Sequence, residues 1–381
     1  MENHRSPIFF QISAKTTIEN RARFIVNLRH CMSHLHNKVN RNEMRERLME
    51  EPFKRVTLSF YRYVIINDPQ ATRDQLWREW SAMQVFGRIY VAREGINAQL
   101  SVPEHFYQAF RQKLDMHPEF KDVPFKIAVD DDGKSFFRLT IKVRPRIVAD
   151  GLAGNEYDVT NVGKHLTAAE FNAAMDQPGT IVVDMRNHYE SEVGHFQNAI
   201  LPECESFREE LPHVLDQLKG KEDQKILMYC TGGVRCEKAS AYLKHHGFKD
   251  VNQLYGGIID YARQIKEQQL PSKFIGKNFV FDERLGERIT DDVIAHCHQC
   301  GHKCDHQINC GNTDCHVLFI QCENCKNTYG EYCSHECRAY AELPAEERKK
   351  LRAEGKAIRG GSSYGGAHFS KSMAAKAKRK D

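Results

Sequence analysis

Apolar and polar side chains alternate along this chain with two different periods, and the period changes at definite places. Val56-Thr57-Leu58-Ser59-Phe60-Tyr61 alternates as a half-buried strand does, and Asp68-Pro69 marks the turn that follows. Thr72 is predicted to cap a helix running to Gln84, with Leu76, Trp80 and Met83 on one face. Strands are predicted over 87–92 and 96–102, joined by the tight turn Arg93-Glu94-Gly95. A helix over 105–114 and strands over 125–129 and 136–143 complete the pattern. The order βαββαβ with one extra strand predicts a ferredoxin-like α+β domain over 51–150.

From 163 to 272 the period becomes that of an α/β unit. Thr167 with Glu170 three residues later is a capping box. Ile181-Val182-Val183-Asp184 and Lys225-Ile226-Leu227-Met228-Tyr229 are short, nearly continuous apolar runs, as expected of strands covered on both faces. A helix over 236–246 ends at Gly247, and the alternation predicts a doubly wound parallel sheet. The overall fold class is therefore α/β, with a Cys-rich module over 273–343 and a tail over 344–381. In that tail, 344–357 reads as a charged helix, and Gly360-Gly361-Ser362-Ser363-Tyr364-Gly365-Gly366 has a linker composition.

Composition narrows the class. Of 381 residues 41% are hydrophobic, enough for ordinary cores, and no run of 18 apolar residues exists to cross a bilayer as a helix. Residues 1–31 lack the apolar stretch of a signal peptide, and Glu2 and Glu19 argue against a transit peptide, so a cytoplasmic protein is expected. The net charge of +4 is unevenly placed. Eleven Lys and Arg against Glu354 and Asp381 make 348–381 worth +9, leaving −5 for the rest. A basic tail on a mildly acidic body suits a polyanion such as nucleic acid, although a merely solubilising tail has the same composition.

Cys230-Thr231-Gly232-Gly233-Val234-Arg235-Cys236 is the most informative stretch. The cysteine stands where a strand ends and a helix begins, at the sheet edge where α/β proteins bind ligands. The glycines let successive backbone N–H groups turn inward, Arg235 adds a fixed cation, and the helix N-terminus adds a partial one. Each favours thiolate over thiol, so Cys230 is predicted to be nucleophilic at neutral pH, with Cys236 as a possible resolving thiol.

Asp184-Met185-Arg186 with Glu190, Gly194-His195-Phe196, Asn198-Ala199, the Cys230 loop and Gly256-Gly257 together resemble a rhodanese domain. In that family the loop cysteine carries a persulfide. Asp184 and Arg186 are expected to pair and hold the loop, while His195 and Tyr261 read as packing residues. The resemblance extends further. Residues 57–63, Ala92-Arg93-Glu94-Gly95-Ile96-Asn97-Ala98-Gln99, Asp130-Asp131-Asp132-Gly133-Lys134-Ser135-Phe136, 229–238, Gly276-Lys277-Asn278-Phe279-Val280-Phe281-Asp282-Glu283-Arg284 and the cysteine block are similar to the rhodanese-containing tRNA uridine hydroxylases. The match covers 32–340, and residues 1–31 are expected to be an upstream extension or a misassigned start.

The resemblance implies conversion of wobble uridine, position 34 of tRNA, to 5-hydroxyuridine with molecular oxygen. Uracil C6 is electrophilic, so the Cys230 thiolate could add there and leave C5 enolate-like and ready to take oxygen. Arg235 and the loop amides of Thr231, Gly232, Gly233 and Val234 are then expected to stabilise the developing oxyanion. Delivery of oxygen from a Cys230 persulfide or peroxide-like adduct is the other route. The chain carries no flavin or nicotinamide fingerprint and names no electron donor. A thiosulfate-type sulfurtransferase and a non-catalytic zinc and RNA-binding adaptor are the competing readings.

Cys297-x2-Cys300, Cys310-x4-Cys315, Cys322-x2-Cys325 and Cys333-x3-Cys337 are four chelating pairs, enough for two tetrahedral zinc ions. Sequential grouping (297/300/310/315 and 322/325/333/337) and an interleaved cross-brace both close. An iron–sulfur cluster is the competing occupant. Cys304 is left over, and His298, His302, His306, His316 and His335 could substitute. For the anticodon stem-loop, Tyr61, Arg62, Tyr63, Arg88, Arg93, Lys142, Arg144 and Arg146 are candidate contacts, the aromatics to stack bases and the cations to meet phosphates. Simple alternation of Tyr61 and Tyr63 across a sheet face is the plainer reading.

Overall fold

The computed structural model describes residues 40–131, 133–152 and 157–358. Most of the N-terminal extension, Asp132, the glycine-rich linker and the basic end of the tail lie outside the described residues. The first domain comprises α1 (Arg41–Met49), β1 (Arg55–Tyr63), α2 (Pro69–Ala82), β2 (Phe86–Ala92), β3 (Gly95–Pro103), α3 (Tyr107–Asp115), β4 (Lys126–Ile127) and β5 (Leu139–Val143). Its sheet has the order β4-β1-β3-β2-β5, antiparallel except where β5 runs parallel to β2. This is the ferredoxin-like arrangement with one added edge strand.

Boundaries differ from the sequence reading for local reasons. The helix expected from Thr72 begins at Pro69, because the Asp68 carboxylate already accepts the Ala71 amide and proline is preset for the first helical turn. The helix expected from 105 starts as a 3-10 turn and becomes α-helical only at Tyr107. The strands expected over 125–129 and 136–143 contract to β4 and β5. Gly95 sits at φ +144 with its α-carbon against β1, where a Cβ would lie 2.0 Å from the Arg62 carbonyl oxygen, so the turn admits only glycine.

The two faces of this sheet are chemically distinct. Leu58, Phe60, Ile89, Val91, Ile96, Ala98 and Leu100 point at α2 and α3, where Trp80 and Phe110 fill the core. Ser59, Tyr61, Tyr63, Arg88, Tyr90, Asn97 and Gln99 alternate with them and are half-buried on the opposite face. That polar face looks toward the second domain.

The second domain contains β6 (Lys164–Leu166), α4 (Ala168–Met175), β7 (Ile181–Asp184), α5 (His188–Ser191), β8 (Gly194–Phe196), α6 (Phe207–Gln217), β9 (Lys225–Tyr229), α7 (Val234–His245), β10 (Asp250–Leu254) and α8 (Gly257–Gln268). The sheet β6-β10-β9-β7 is parallel throughout. Ile226 and Met228 face the α6–α7 core while Leu227 and Tyr229 face the α4–α8 core, which explains their uninterrupted apolar run. The expected capping box at Thr167 and Glu170 is present.

The C-terminal module consists of β11 (Phe274–Asn278), β12 (Glu287–Arg288), β13 (Gln307–Asn309), β14 (Leu318–Ile320), α9 (Glu323–Tyr329), α10 (His335–Glu342) and α11 (Ala345–Ala353). β11 pairs with β8, so the module is joined to the second domain through a shared small sheet. Among the described residues no helix is long and apolar enough to cross a membrane. Trp80 has no exposed surface. Trp80→Ala is expected to cost about 3–5 kcal/mol of folding stability, measured as a lowered denaturation midpoint.

Candidate active site and metal centres

Cys230 follows β9 directly, and the turn to α7 is only three residues long. Helix α7 begins at Val234, two residues before the expected start, so Arg235 and Cys236 belong to its first turn and not to a loop. Gly233 caps that helix at φ +96, which swings its amide onto the Cys230 sulfur at 3.1 Å. Burial opposes ionisation of this sulfur. Hydrogen bonding from Cys236, the positive charge of Arg235 and the amides of Cys236 and Arg235 outweigh it and hold the thiol down at about 6. The neighbouring Cys236 thiol is pushed well up, by burial first and then by the Cys230 sulfur, so it stays protonated and donates.

A second glycine fixes the loop from below. Gly257 opens α8 at φ +68, and a Cβ there would lie 2.5 Å from the Cys230 carbonyl oxygen and 2.6 Å from that of Thr231. With that clearance the amides of Ile258 and Ile259 reach those two carbonyls at 3.0 and 3.2 Å. The helix terminus thus binds the loop backbone and leaves the inward amides for the sulfur.

Arg235 is anchored beside the Cys230 loop by a buried carboxylate. Its Nη1 donates to Glu190 Oε1 at 2.6 Å, and its Nη2 to Glu190 Oε2 at 2.8 Å and to Thr231 Oγ1 at 3.2 Å. Both terminal nitrogens are committed to a buried carboxylate, so the side chain acts on Cys230 by charge and packing. These bonds use three of the five guanidinium N–H groups and leave the Nε proton and one Nη1 proton for a further acceptor. Asp184 and Arg186 form the expected brace. Arg186 donates to both Asp184 oxygens at 2.8 and 2.6 Å and to the Gly194 carbonyl at 2.6 Å, and the Tyr229 hydroxyl donates to Asp184 at 2.7 Å. His195 lies in β8 with Nδ1 3.0 Å from the Phe196 carbonyl, and Tyr261 is buried against Asn172, so both pack.

The polar face of the first sheet covers this loop. Between them lies a cleft of about 410 Å³, with Tyr61, Arg88, Tyr90 and Asn97 on one wall and Cys230, Gly232 and Val234 on the other. Cys230 is fully buried, at the floor of the cleft. Tyr61 and Tyr63 do alternate across the sheet face, and their hydroxyls donate to Glu237 (2.8 Å) and to the Val234 carbonyl (3.1 Å) of α7. Glu94 of the β2–β3 turn and Asp150 receive the buried ammonium of Lys238 at 3.0 and 2.7 Å. Arg146 joins the same cluster, 3.4 Å from both carboxylates. Arg62 donates to the Lys121 carbonyl at 2.9 Å. Arg93, Lys142 and Arg144 are exposed, and the Arg144 guanidinium carbon is 5.9 Å from the ring centre of Tyr90.

Glu190, Glu237, Lys238 and Glu94 were not singled out for these roles by the sequence. Glu190 and Glu94 stood only inside larger motifs. The one local signal, Glu190 three residues after Asn187, is a helix-capping pattern and gives no hint of Arg235.

The cysteines form the interleaved cross-brace. Cys297, Cys300, Cys322 and Cys325 converge in one set and Cys310, Cys315, Cys333 and Cys337 in another, all sulfurs of a set within 4.8 Å of one another. The sequential grouping is not what the fold brings together. Neighbouring sulfurs stand 3.6 Å apart for Cys300–Cys322, 3.5 Å for Cys310–Cys337 and 3.8 Å for Cys315–Cys333. A tetrahedron with metal–sulfur bonds of about 2.3 Å has edges of about 3.8 Å. Each set can therefore hold one tetrahedral ion, whereas thiolates bound to different irons of a cluster would stand farther apart. Cys304 lies outside both sets, its sulfur 3.4 Å from the Gln321 carbonyl. None of the five candidate histidines belongs to either set.

The comparisons with known proteins fit this anatomy. The UPF0176 acylphosphatase-like domain family matches residues 55–147, the rhodanese-like domain family 167–264, and the Rhodanase C-terminal family 275–338. A tRNA uridine(34) hydroxylase of Leptospira interrogans is 59% identical over 84% of this chain and 87% of its own length. The chain belongs to the tRNA uridine(34) hydroxylase family. A member from Cronobacter sakazakii is 54% identical over 84% of this chain and 92% of its own. A solved rhodanese-like domain from Anabaena covers 30% of this chain and 80% of its own at 17% identity, with a TM-score of 0.24, too low to carry an argument.

The module of this family member also supports the active loop. Gln307 donates to the Tyr189 carbonyl at 2.8 Å, and His298 Nε2 lies 2.7 Å from Glu192. These bonds steady α5, the short helix that presents Glu190 to Arg235. If each cysteine set holds an ion, as its geometry allows, treatment with a chelator is expected to lower the melting temperature and to expose backbone amides of α5 to hydrogen exchange; unchanged protection there would separate the module from the site. The Cys230 sulfur gives a second expectation. Its alkylation by iodoacetamide is expected to follow an apparent pKa of about 6, level above neutrality and falling as acid protonates the thiolate. Cys236→Ala removes a donor and shifts that titration upward, as peptide mapping of the labelled chain would record.

Proposed function

We propose that this protein hydroxylates the wobble uridine, position 34, of tRNA to 5-hydroxyuridine, with Cys230 as the nucleophile and molecular oxygen as co-substrate. The observation that carries this reading is a buried cysteine sulfur, bonded by an inward amide, at the floor of a cleft whose other wall is half-buried aromatic and cationic. A plain sulfurtransferase has no use for that second wall, and an adaptor has no use for an ionised sulfur. The names of the close relatives support the same choice.

The chemistry balances as follows. Uridine, dioxygen, two electrons and two protons give 5-hydroxyuridine and water, so a two-electron reductant is required. The Cys230 thiolate adds to C6, and the C5–C6 double bond moves toward C5 and O4 as an enolate. C5 takes a hydroxyl oxygen from an oxidant at the peroxide level. Loss of the C5 proton and departure of the C6 sulfur restore the ring and the thiolate. The inward amides that stabilise the sulfur before attack are the same groups that make it a competent leaving group afterwards. A uridine in a single-stranded anticodon loop can be splayed out to reach such a floor at modest cost.

Tyr61, Arg62, Tyr63, Arg93, Arg144 and Arg146 are the residues we assign to the anticodon stem-loop. Among the described residues Arg93 and Arg144 have no carboxylate partner, and they suit phosphates. Tyr61 offers the cleft a ring face, while Tyr63, Arg62 and Arg146 orient the wall. Zinc, one ion per cysteine set, is the structural metal we assign, and the cytoplasm is the compartment we assign. In cells depending on this protein for the modification, Cys230→Ser is expected to abolish 5-hydroxyuridine in tRNA, read by mass spectrometry of nucleosides. Persistence of the modified nucleoside in that variant would sink the catalytic assignment.

A further inference from the structure

Lys126 places an ammonium-bearing side chain beside the Cys230 loop. It lies in β4 opposite Ser59 of β1 and is only 8% exposed. Its Nζ sits 4.4 Å from the ring centre of Tyr61. Among the described residues it has no hydrogen-bond or ion-pair partner. Its side chain runs past the loop, so that a Cβ added to Gly232 would stand 3.8 Å from its Cδ. Burial pushes this ammonium down to about 8, against the pull of Asp260, Cys230 and Glu237, so it remains largely charged at neutral pH. A buried cation with no hydrogen-bond or ion-pair partner is costly to keep, and here only the ring of Tyr61 and the longer-range attraction of Asp260, Cys230 and Glu237 offset the cost.

Lys126 lines a second cavity, of about 540 Å³, on the far side of Tyr61 from the Cys230 cleft. A volume of that size is in the ordinary range of ligand sites, about 300–1,000 Å³. Tyr61 belongs to the walls of both cavities, and Tyr63, Phe125 and Tyr255 give the second one further aromatic surface. Its two carboxylates are already satisfied. Glu237 is bonded by Tyr61, His165 and Gln253, and Asp260 by Arg263 and Gln264. Neither makes an ion pair with Lys126, and each acts on it only through space. The sequence of features across this region is therefore a cavity, an aromatic divider flanked by a free cation, and a second cavity. A single strand of nucleic acid presents the complementary sequence of base, phosphate and base.

We propose that the 540 Å³ cavity is a subsite for the nucleotide adjoining the reacting uridine, with Lys126 taking the phosphodiester between the two and the Tyr61 ring standing between their bases. This rests on the reading of the Cys230 cleft as the uridine site and adds to it a second nucleotide and a charged contact. The ammonium, with no direct partner among the described residues, is then open to the substrate's charge: it costs stability in the free protein and gains an ion pair on binding.

The test is equilibrium binding of the full chain to an anticodon stem-loop with uridine at 34, using Lys126→Met and Lys126→Arg. The substrates are the all-phosphate RNA and two RNAs with a neutral methylphosphonate linkage, one on each side of that uridine. Lys126→Met is expected to weaken binding about tenfold and to reduce the slope of log Kd against log salt by about 1. Lys126→Arg is expected to recover most of that loss. One of the two methylphosphonates should weaken the wild type by a similar factor and have no further effect in Lys126→Met. Such non-additivity is a result that misfolding cannot imitate. The melting temperature of Lys126→Met should equal or exceed the wild-type value, since a buried unpaired charge has been removed. Independent, multiplying effects of the variant and both linkages would overturn the subsite, as would a Lys126→Met protein that binds like wild type. If the wild type binds the stem-loop no better than a blunt duplex of the same stem, the reading of the cleft falls as well.

Discussion

A sulfur cut off from bulk water can stay ionised only if the protein replaces its hydration. That requirement organises this molecule around Cys230. The replacement comes from three backbone amides aimed inward by a glycine in the left-handed region, from the Cys236 thiol and from the charge of Arg235. Each donor is fixed by something else. The helix start depends on Gly233, and the loop carbonyls are tied off by α8, which approaches only because residue 257 lacks a side chain. Arg235 can be buried only because Glu190 pairs with it through both oxygens. Preorganised donors of this kind lower the proton affinity of the sulfur and are in place before any partner arrives.

The same logic reaches outward to the other domains. Glu190 is presented by a four-residue helix too short to be stable alone, and the cysteine module holds it through Gln307 and His298. The first domain contributes the opposite wall through Tyr61 and Tyr63, locked on α7, with Lys238, Glu94 and Asp150 as a buried ionic bolt beneath. Pairs of this sort contribute little net stability over an apolar contact, yet they permit only one register of the two domains. The cleft above the thiolate thus has a fixed shape.

The arrangement also separates two kinds of charge. Arg235 and Lys238 are neutralised within the protein and serve its architecture. Among the described residues, Lys126, Arg93 and Arg144 have no carboxylate in ion-pair contact, and all three belong to the first domain. The domain over 51–150 that carries all three has sixteen Lys and Arg against thirteen Asp and Glu, a net +3, and so differs in sign from the mildly acidic body as a whole.

Sequence periodicity was enough to reveal the ferredoxin-like sheet, the parallel sheet, the capping box at Thr167 and the strand–turn–helix at Cys230. It was also enough to mark the eight cysteines as ligand pairs. All of these are encoded within a few residues, where backbone preference, side-chain alternation and chelate-loop length act directly. Only tertiary structure decided how the cysteine pairs combine, because adjacent and interleaved sets close loops of similar cost. Only tertiary structure joined Glu190 to Arg235 across 45 residues, Lys238 to Glu94 across 144 and Tyr61 to Glu237 across 176. Chain separations of that length carry no geometric information, so the partner of a buried charge, and with it the shape of the cleft, is fixed by how the packed layers meet.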